Sequence, residues 1–265
     1  MTRTVHVIGI GAGDPDHLTL QAVAAMNRVD VFFTIDKGEP TADLAALRKE
    51  LLTRHVTRPY RVVTAPEVPR DRDPAAYVDT AVDWQARRAA LYEQMITGEL
   101  ADGEVGGFLV WGDPSLYDGT LNLLRGIPGL EIVSVPGISS VAALAAAHAL
   151  ILNRVGTPVL ITTGRRVADE GMPRDVDDVV VMLDGRTAFA DLPDTDLDVY
   201  WGAYLGTPDE ILVAGDLRTV RDEIVRLRSE ARTRKGWIMD IYLLRRRVPT
   251  ERVQPLPPWR TTRTP

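Results

Sequence analysis

The stretch GFLVWGDPSLY, residues 107–117, joins a short apolar run to a turn that contains glycine and proline. The apolar run is typical of a strand buried on both faces of a parallel sheet. Gly112 lets a ligand approach the backbone closely, and Pro114 keeps Asp113 out of helical geometry. Since open α/β sheets bind ligands beyond the carboxyl ends of their strands, this turn is either a ligand-binding loop or a plain connection to the next helix.

Strand and helix patterns alternate on the amino-terminal side of residue 137. Helical patterns cover residues 15–28, 41–54 and 74–98. Strand patterns cover residues 5–10, 29–34, 61–64, 108–111 and 130–135. Such alternation predicts βαβ units and a mostly parallel sheet flanked by helices.

Strand patterns follow one another on the carboxyl-terminal side, over residues 159–163, 179–183, 199–204, 211–214 and 237–244. Helical patterns are confined to the alanine-rich stretch 139–150 and to residues 220–234. A run of strands with few helices predicts a mixed sheet in a separate domain. The fold class is therefore α/β with two α/β domains, residues 1–136 and 137–265, and a mobile tail over about residues 253–265.

Composition narrows the classes of function. The chain has no cysteine, which excludes disulfides and thiolate chemistry and fits a cytoplasmic location. No apolar run is long enough to span a membrane, and a formal net charge of −6 argues against nucleic-acid binding. The four histidines lack the spacing of metal ligands on a helix, so we expect no metal.

The sequence GIGAGDP, residues 9–15, links the first strand to the first helix as a dinucleotide-binding turn does. That turn requires Gly or Ala at position 14, where this chain has Asp14. The carboxylate competes for the amides that would hold a pyrophosphate, and it is suited to cap a helix that starts at Pro15. An oxidoreductase that uses NAD or FAD is therefore a disfavoured alternative.

The sequence VPGISS, residues 135–140, ends a strand and opens the alanine-rich helix. Ser139 or Ser140 is suited to cap this helix, and either hydroxyl is also able to bind a ligand. The small alanine side chains leave room for close helix packing or for a flat cofactor. Both interpretations, structural and ligand-binding, are open from the residues alone.

Taken in order, these three motifs resemble the signatures of the tetrapyrrole methylases. The first continues with LTL at residues 18–20, the second is GDPSLY at 112–117, and the third is PGISS at 136–140. Many members of the family carry proline where this chain has Ala12. The resemblance covers nearly the whole chain. It implies two α/β domains with S-adenosylmethionine bound in the cleft between them, S-adenosylhomocysteine as its product, and no metal.

Further segments resemble one branch of this family, which methylates ring carbon 1 of a corrin precursor and releases the neighbouring acetyl group as acetate. The implied substrate is precorrin-5, in aerobic cobalamin synthesis. Another tetrapyrrole, a protein or an RNA is the alternative methyl acceptor, and a homodimer is one option for the assembly. The segments are WGDPSLYD at 111–118, ITTGRR at 161–166, MLDG at 182–185, YWGAYLGTPDE at 200–210 and GWIMD at 236–240.

The resemblance also implies which residues contact the cofactor. Those of the second half of the chain are expected to hold its amino-acid and adenine portions. For three of the positions, 111, 182 and 204, the alternative is a purely structural place in the apolar core. The implied residues are Trp111, Gly112, Asp113, Leu116, Ser139, Ser140, Met182, Leu183, Asp184, Gly202, Ala203 and Tyr204.

The substrate and the release of acetate call for further groups. The resemblance places the first turn, with Ala12, Gly13 and Asp14, near the tetrapyrrole. Because the substrate carries many carboxylates and the protein is acidic, local arginines are expected to bind it, with solvated surface charges as the alternative. The candidates are Arg70, Arg72, Arg87 and Arg88. Release of acetate needs an acid–base group, for which the candidates are Asp36, Tyr117 and Asp118.

Overall fold

The computed structural model describes residues 3–36, 38, 42–69, 77–193 and 196–247. The chain divides into two compact units, Met1–Ser140 and Val141–Pro265, whereas the sequence predicts a boundary after Pro136. The tail predicted to be mobile, about 253–265, lies outside the described residues. Among the residues that are described, none of the helices combines the length and the apolar character that a membrane span requires.

The first unit is built on a five-stranded sheet in which every pair of neighbours is parallel. The strands lie in the order β3-β2-β4-β1-β5, and this parallel sheet confirms the predicted fold class. The strands are β1 (Arg3–Gly9), β2 (Val31–Asp36), β3 (Arg61–Pro66), β4 (Val105–Val110) and β5 (Leu130–Val135). The helices are α1 (Leu20–Met26), α2 (Ala42–His55), α3 (Tyr77–Glu99) and α4 (Thr120–Arg125).

Both faces of this sheet are buried, which explains the continuous apolar runs of its strands. On one face, Val5 and Phe108 pack in a cluster with residues of α3 and α4. On the other face, Ile8 and Leu109 pack in a second cluster with residues of α1 and α2. Successive residues of a strand thus point into different clusters, and the sheet holds its carboxyl-terminal turns on a rigid base.

The second unit is built on a mixed five-stranded sheet, as predicted, in the order β6-β7-β10-β8-β9. β6 and β7 are parallel, whereas β10 is antiparallel to both of its neighbours and β8 is antiparallel to β9. The strands are β6 (Val159–Thr163), β7 (Asp178–Met182), β8 (Leu197–Ala203), β9 (Ile211–Asp216) and β10 (Asp240–Arg246). The helices are α5 (Ser140–Ala147), α6 (Gly164–Glu170) and α7 (Leu217–Lys235).

The bounds of one predicted helix are wrong, and one short helix was not predicted. The pattern over 15–28 is not one helix, because two caps divide it: Asp14 accepts from the Asp16 amide and starts a single 3-10 turn, Pro15–His17. Thr19 then accepts from the Ala22 amide over 3.0 Å and starts α1. The unpredicted helix is α6, because its seven residues are too few for a clear apolar periodicity.

Candidate functional site

The three motif turns of the first unit follow neighbouring strands. β4, β1 and β5 are adjacent and parallel, so their carboxyl ends meet at one edge of the sheet. Backbone hydrogen bonds join the first two turns: the Gly112 amide donates to the Gly11 carbonyl over 2.8 Å, and the Gly11 amide donates back to the Gly112 carbonyl over 3.3 Å. The structure thus brings together motifs that lie far apart in the sequence.

Three glycines, one from each motif, pack backbone against backbone. A Cβ at Gly9 would lie 2.7 Å from both the Gly112 oxygen and the Gly137 nitrogen, and a Cβ at Gly137 would lie 2.2 Å from that oxygen. Real Cβ atoms do not approach so closely, so no other residue fits at 9 and 137. Gly112 has a φ of 64°, which disfavours other residues, but a Cβ there would have ordinary contacts of 3.6 Å with Ser139 and Ser140.

Asp113 holds the second and third turns together. One carboxylate oxygen accepts from the Ser115 amide over 2.8 Å and from the Ser115 hydroxyl, and the other accepts from the Gly137 amide over 2.9 Å. Burial raises the pKa of Asp113, but these hydrogen bonds together outweigh it and leave the pKa below its ordinary value. The carboxylate therefore has a structural task, beyond the ligand contact that the resemblance implies.

The first motif turn, residues 11–14, is mostly shielded from solvent. Ala12 and Gly13 are buried, and Asp14 is half-buried with its carboxylate on the Asp16 amide at 2.8 Å. Thr19, which the sequence reasoning did not assign to the site, donates from its hydroxyl to the Pro136 carbonyl over 3.5 Å. The predicted capping role of Asp14 is confirmed, and Thr19 ties this segment to the third motif.

The residues at the end of the second motif, 116–118, are more exposed to solvent than those of the first turn. Tyr117 is 47% exposed and has a φ of 55°, in the left-handed region that a tyrosine rarely adopts. Asp118 accepts from the Thr120 amide over 2.8 Å, next to the first turn of α4. The Leu116 amide donates to the Asp113 carbonyl over 3.1 Å, which closes the turn and leaves the Leu116 side chain half-buried. Of these three residues, Tyr117 is the most exposed.

The remaining predicted polar residues of the first unit have different surroundings. Asp36 ends β2, is exposed, and accepts from the Gly38 amide over 2.8 Å. Arg88 lies 3.6 Å from a Glu67 oxygen with its guanidinium 4.6 Å from the centre of the Trp84 ring, whereas Arg87 is exposed beside Asp83 at 2.9 Å. The predicted substrate residues Arg70 and Arg72 lie outside the described residues.

A half-buried arginine from α2 lies beside the second motif. The guanidinium of Arg48 is 5.2 Å from the centre of the Trp111 ring, and its Nε donates to the Leu109 carbonyl over 3.3 Å. The indole nitrogen of Trp111 is buried and has no hydrogen-bond partner among the described residues. Burial lowers the pKa of Arg48, against the smaller opposing effects of Tyr92 and Asp118. Nothing in the local sequence identifies Arg48, because these contacts join residues far apart in the chain.

The predicted site residues of the second unit lie at one edge of its sheet. β7 ends at Met182 and β8 ends at Ala203, and both are antiparallel to β10 between them. Ile241 of β10 is directly opposite both Met182 and Gly202. The central strand therefore brings the two strand ends to the same level, on either side of Ile241.

Most of the predicted side chains at this edge are used inside the unit. Tyr204 is 1% exposed and donates its hydroxyl to the Trp237 carbonyl over 2.7 Å, and burial raises its pKa. Ala203 is fully buried and Asp184 nearly so, whereas Leu183 is 66% exposed. For Tyr204, the side chain lies in the core, which is the alternative that the sequence left open, and the Ala203 side chain is buried as well. A ligand at this edge would therefore meet backbone groups and Leu183.

A buried polar network fixes the Asp184 turn. The Asp184 carboxylate accepts from the Tyr242 hydroxyl and the Ala188 amide, each over 2.7 Å, and the Asp184 carbonyl accepts from Arg228. Arg228 also donates to Asp240 over 2.8 Å. Burial raises the pKa of Tyr242, and the nearby Asp184 adds to the effect. A charged residue within the apolar stripe of a helix, as Arg228 is in α7, is a sequence signal for such a buried ion pair.

Three predicted site residues have left-handed backbone conformations without being glycine. Their φ angles are 55° for Tyr117, 53° for Leu183 and 51° for Tyr204. Such conformations cost about 1–3 kcal/mol each and are concentrated at ligand-binding sites of proteins. Leu183 and Tyr204 directly follow the ends of β7 and β8, and Tyr117 lies in the segment between β4 and α4. These positions support a ligand-binding role for the three turns.

No group of three histidine, aspartate or glutamate side chains within the described part of the chain is arranged to hold a metal ion. The polar groups at the turns are instead backbone amides and hydroxyls, which donate hydrogen bonds, and carboxylates, which accept them, and such a mixture suits an organic ligand.

Comparison with known proteins gives consistent matches. The family model of the tetrapyrrole (corrin/porphyrin) methylases matches residues 4–221. The chain is 44% identical over 250 residues to a precorrin-6A synthase (deacetylating) from Sinorhizobium sp., covering 92% of this chain and 95% of that protein. A cobalamin synthesis related protein (CobF) from Corynebacterium diphtheriae has a TM-score of 0.76 and 35% identity, over 93% of this chain and 99% of that one.

A more distant structure agrees in fold. It is the uroporphyrin-III C-methyl transferase from Thermus thermophilus complexed with S-adenyl homocysteine, with a TM-score of 0.55 and 19% identity. The match covers 91% of this chain and 96% of that one.

Proposed function

The chain belongs to the tetrapyrrole (corrin/porphyrin) methylases, and we propose that it is the S-adenosylmethionine-dependent enzyme of cobalamin synthesis that converts precorrin-5 to precorrin-6A. The observation that carries this proposal is the likeness to a precorrin-6A synthase along nearly the full length of both chains. The joined turns of the first unit add a structural reason, because they lie together beyond the carboxyl ends of parallel strands, where α/β sheets bind their ligands.

We propose that residues of the second motif bind the cofactor. The glycine at 112 leaves vacant the space that a side chain would enter, next to the backbone of Ser139 and Ser140. We propose that this space receives S-adenosylmethionine, with contacts from Trp111 and Leu116. The strand ends at Met182–Asp184 and Gly202–Tyr204 of the second unit are proposed, separately, as contacts of the amino-acid and adenine portions.

The first chemical step is the formation of a carbon–carbon bond at ring carbon 1. The cofactor supplies a methyl group that its positively charged sulfur already activates. The task of the protein is alignment, which contributes as much as about 7–11 kcal/mol when the geometry is held firmly. Close packing at the glycines and the hydrogen bonds of Asp113 connect the turns to one another, which supports this role.

The second step is the loss of the neighbouring acetyl group. Water adds to the acetyl carbonyl carbon, the bond from that carbon to the ring breaks, and a proton takes the vacated ring position as acetate leaves. The step needs a group that moves a proton and a donor for the developing oxyanion. We propose the hydroxyl of Tyr117, an exposed residue, for the proton transfer, with Asp36 and Asp118 as the other candidates.

Three further features belong to the proposal. A cytoplasmic location fits a biosynthetic enzyme whose sequence lacks cysteine. The arginines Arg87 and Arg88 are proposed to contact substrate carboxylates. A homodimer is the proposed assembly, and light scattering at several protein concentrations tests it.

Calorimetric titration with S-adenosylhomocysteine tests the cofactor part of the proposal. We expect one binding site per chain, because one set of joined turns is present in the first unit. The matched titration uses NADH, for which we expect no heat of binding, since Asp14 occupies the third glycine position of a dinucleotide turn. Binding of NADH without binding of S-adenosylhomocysteine would overturn the proposal.

A further inference from the structure

Arg48 stands apart from the ion pairs of the first unit. Neighbouring arginines have carboxylate partners: Arg54 lies 3.3 Å from Asp16, and Arg58 contacts Asp30. Within the described residues, no carboxylate oxygen lies within 4.0 Å of the Arg48 guanidinium. A cation that is half-buried without a counter-ion has lost part of its hydration and has gained no ion pair in return.

The donors of Arg48 are only partly used. Its Nε bonds to the Leu109 carbonyl, at the carboxyl end of β4, and the face of the guanidinium lies over Trp111. The two terminal nitrogens have no hydrogen-bond partner among the described residues, and neither is fully buried. An arginine held by Nε and by an aromatic ring presents a fixed pair of N–H donors, which matches the two oxygens of a carboxylate.

The position of this pair of donors adds to the argument. Leu109 and Trp111 flank the last residue of β4, and Gly112 follows in the turn proposed to receive the cofactor. Asp118 is the carboxylate whose charge acts on Arg48, but it lies beyond ion-pair distance and accepts from the Thr120 amide instead. The Arg48 guanidinium therefore lies at the carboxyl-terminal edge of the parallel sheet, and its two terminal nitrogens are available to bind a ligand.

We propose that the terminal nitrogens of Arg48 bind a ligand carboxylate in a bidentate manner. The inference rests on the proposed function, which supplies two sources of that chemistry: the carboxylate side chains of the tetrapyrrole and the carboxylate of the methionine portion of the cofactor. The tetrapyrrole is the expected source, because it carries several carboxylates and the cofactor carries one.

The test measures two affinities in purified wild-type protein and in variants. Uroporphyrin III, a stable tetrapyrrole with carboxylate side chains, is titrated by quenching of tryptophan fluorescence, and S-adenosylhomocysteine is titrated by calorimetry. Arg48→Gln is expected to weaken uroporphyrin binding by about 10–100-fold, the range for loss of a hydrogen-bonded charged group, and to reduce its salt dependence. Arg48→Lys keeps the charge without the planar fork and is expected to fall in between.

Arg54→Gln is the matched control, since Arg54 lies on the same helix, is 52% exposed and already has an ion pair. It is expected to bind both ligands as the wild type does. A variant that retains affinity for one ligand is folded, so the other affinity is interpretable. If Arg48→Gln loses affinity for S-adenosylhomocysteine and keeps its affinity for uroporphyrin III, Arg48 binds a carboxylate, and that carboxylate belongs to the cofactor.

Two results would contradict these claims, and they differ. If Arg48→Gln and Arg48→Lys bind both ligands with wild-type affinity, Arg48 does not bind a carboxylate, whereas the proposed function stands. If the wild-type protein binds neither uroporphyrin III nor S-adenosylhomocysteine, the proposed function fails, and the carboxylate site fails with it.

Discussion

At the scale of single residues, Gly112 is the position on which the cofactor proposal depends most. We expect Gly112→Leu to weaken S-adenosylhomocysteine binding by at least about tenfold, because a side chain fills the space beside Ser139. The φ of 64° is expected to lower the stability of this variant by about 1–3 kcal/mol as well. Calorimetry measures the effect. Gly98→Leu is the control, since a Cβ at Gly98 meets nothing within 4 Å. Unchanged affinity in the Gly112 variant would rule out this placement of the cofactor.

Tyr117 and Asp36 bear on the second chemical step. Methyl transfer depends on alignment and acetyl loss depends on proton transfer, so one substitution is expected to separate them. We expect Tyr117→Phe, or Asp36→Asn, to leave methyl transfer largely intact and to slow acetate release by about 10²–10⁴-fold. Mass spectrometry would then detect a product that is methylated and still acetylated. If both variants release acetate at the wild-type rate, neither residue transfers the proton.

At the scale of elements, Asp113 connects two turns that follow different strands. In Asp113→Asn, an amide nitrogen replaces one acceptor and faces either the Ser115 or the Gly137 amide. A buried donor without an acceptor costs about 1–3 kcal/mol, so we expect the free energy of unfolding to fall by that amount. Urea unfolding measures it, with Asp102→Asn as a control at an exposed turn.

The effect of Asp113→Asn on the free energy of unfolding is expected to depend on pH. The pKa of Asp113 in the folded state is below its ordinary value of 3.8, so its contribution is present above 3.8 and is lost as the pH falls through the folded value. The difference between the wild type and Asp113→Asn is therefore expected to shrink in acid. A difference that does not change with pH, or that grows in acid, would contradict the assigned hydrogen bonds.

The sequence predicted the elements better than the contacts between them. The parallel and mixed sheets followed from apolar runs and their alternation, because strand burial is recorded in local patterns. The break between Pro15–His17 and α1 depended on Thr19 as a second cap, which the longer helical pattern concealed. The positions of the motif turns were evident, but the packing of Gly9 against Gly137 depends on strand order, which no local pattern records.

The same reason explains what the sequence did not predict in the site. Arg48 reaches the carbonyl of Leu109, and Arg228 reaches that of Asp184, each across a large separation in the chain. The charges of such residues are visible in the sequence, whereas their partners are set by tertiary structure. Conversely, Tyr204 was predicted from a motif, and the structure shows a side chain that is buried in the core.

At the scale of the whole molecule, buried His6 in the first unit and half-buried His148 in the second link stability to pH. Burial lowers the pKa of His6 and of His148 from 6.5, and His148 has a 3.0 Å hydrogen bond to the Trp201 carbonyl. As the pH falls below 6.5, these histidines take up protons in the unfolded chain before they do so in the folded protein. The free energy of unfolding therefore decreases as the pH falls from 6.5 towards the lower pKa values of the folded state.

Chemical denaturation at several pH values between about 7.5 and 5.5 measures this loss. His148→Gln keeps an N–H donor and removes the titration, so we expect a smaller loss of stability with acid than in the wild type. Equal slopes for the wild type and His148→Gln would exclude His148 as a contributor.

The conversion of precorrin-5 itself is the most direct test of the proposed function. The purified protein is incubated with precorrin-5 and S-adenosylmethionine that carries a deuterated methyl group, and the product is analysed by mass spectrometry with parallel assay of acetate. We expect a tetrapyrrole that has gained one deuterated methyl group and lost its acetyl group, with one acetate released per methyl transferred. Transfer of no label to precorrin-5, with activity on another acceptor, would contradict the account.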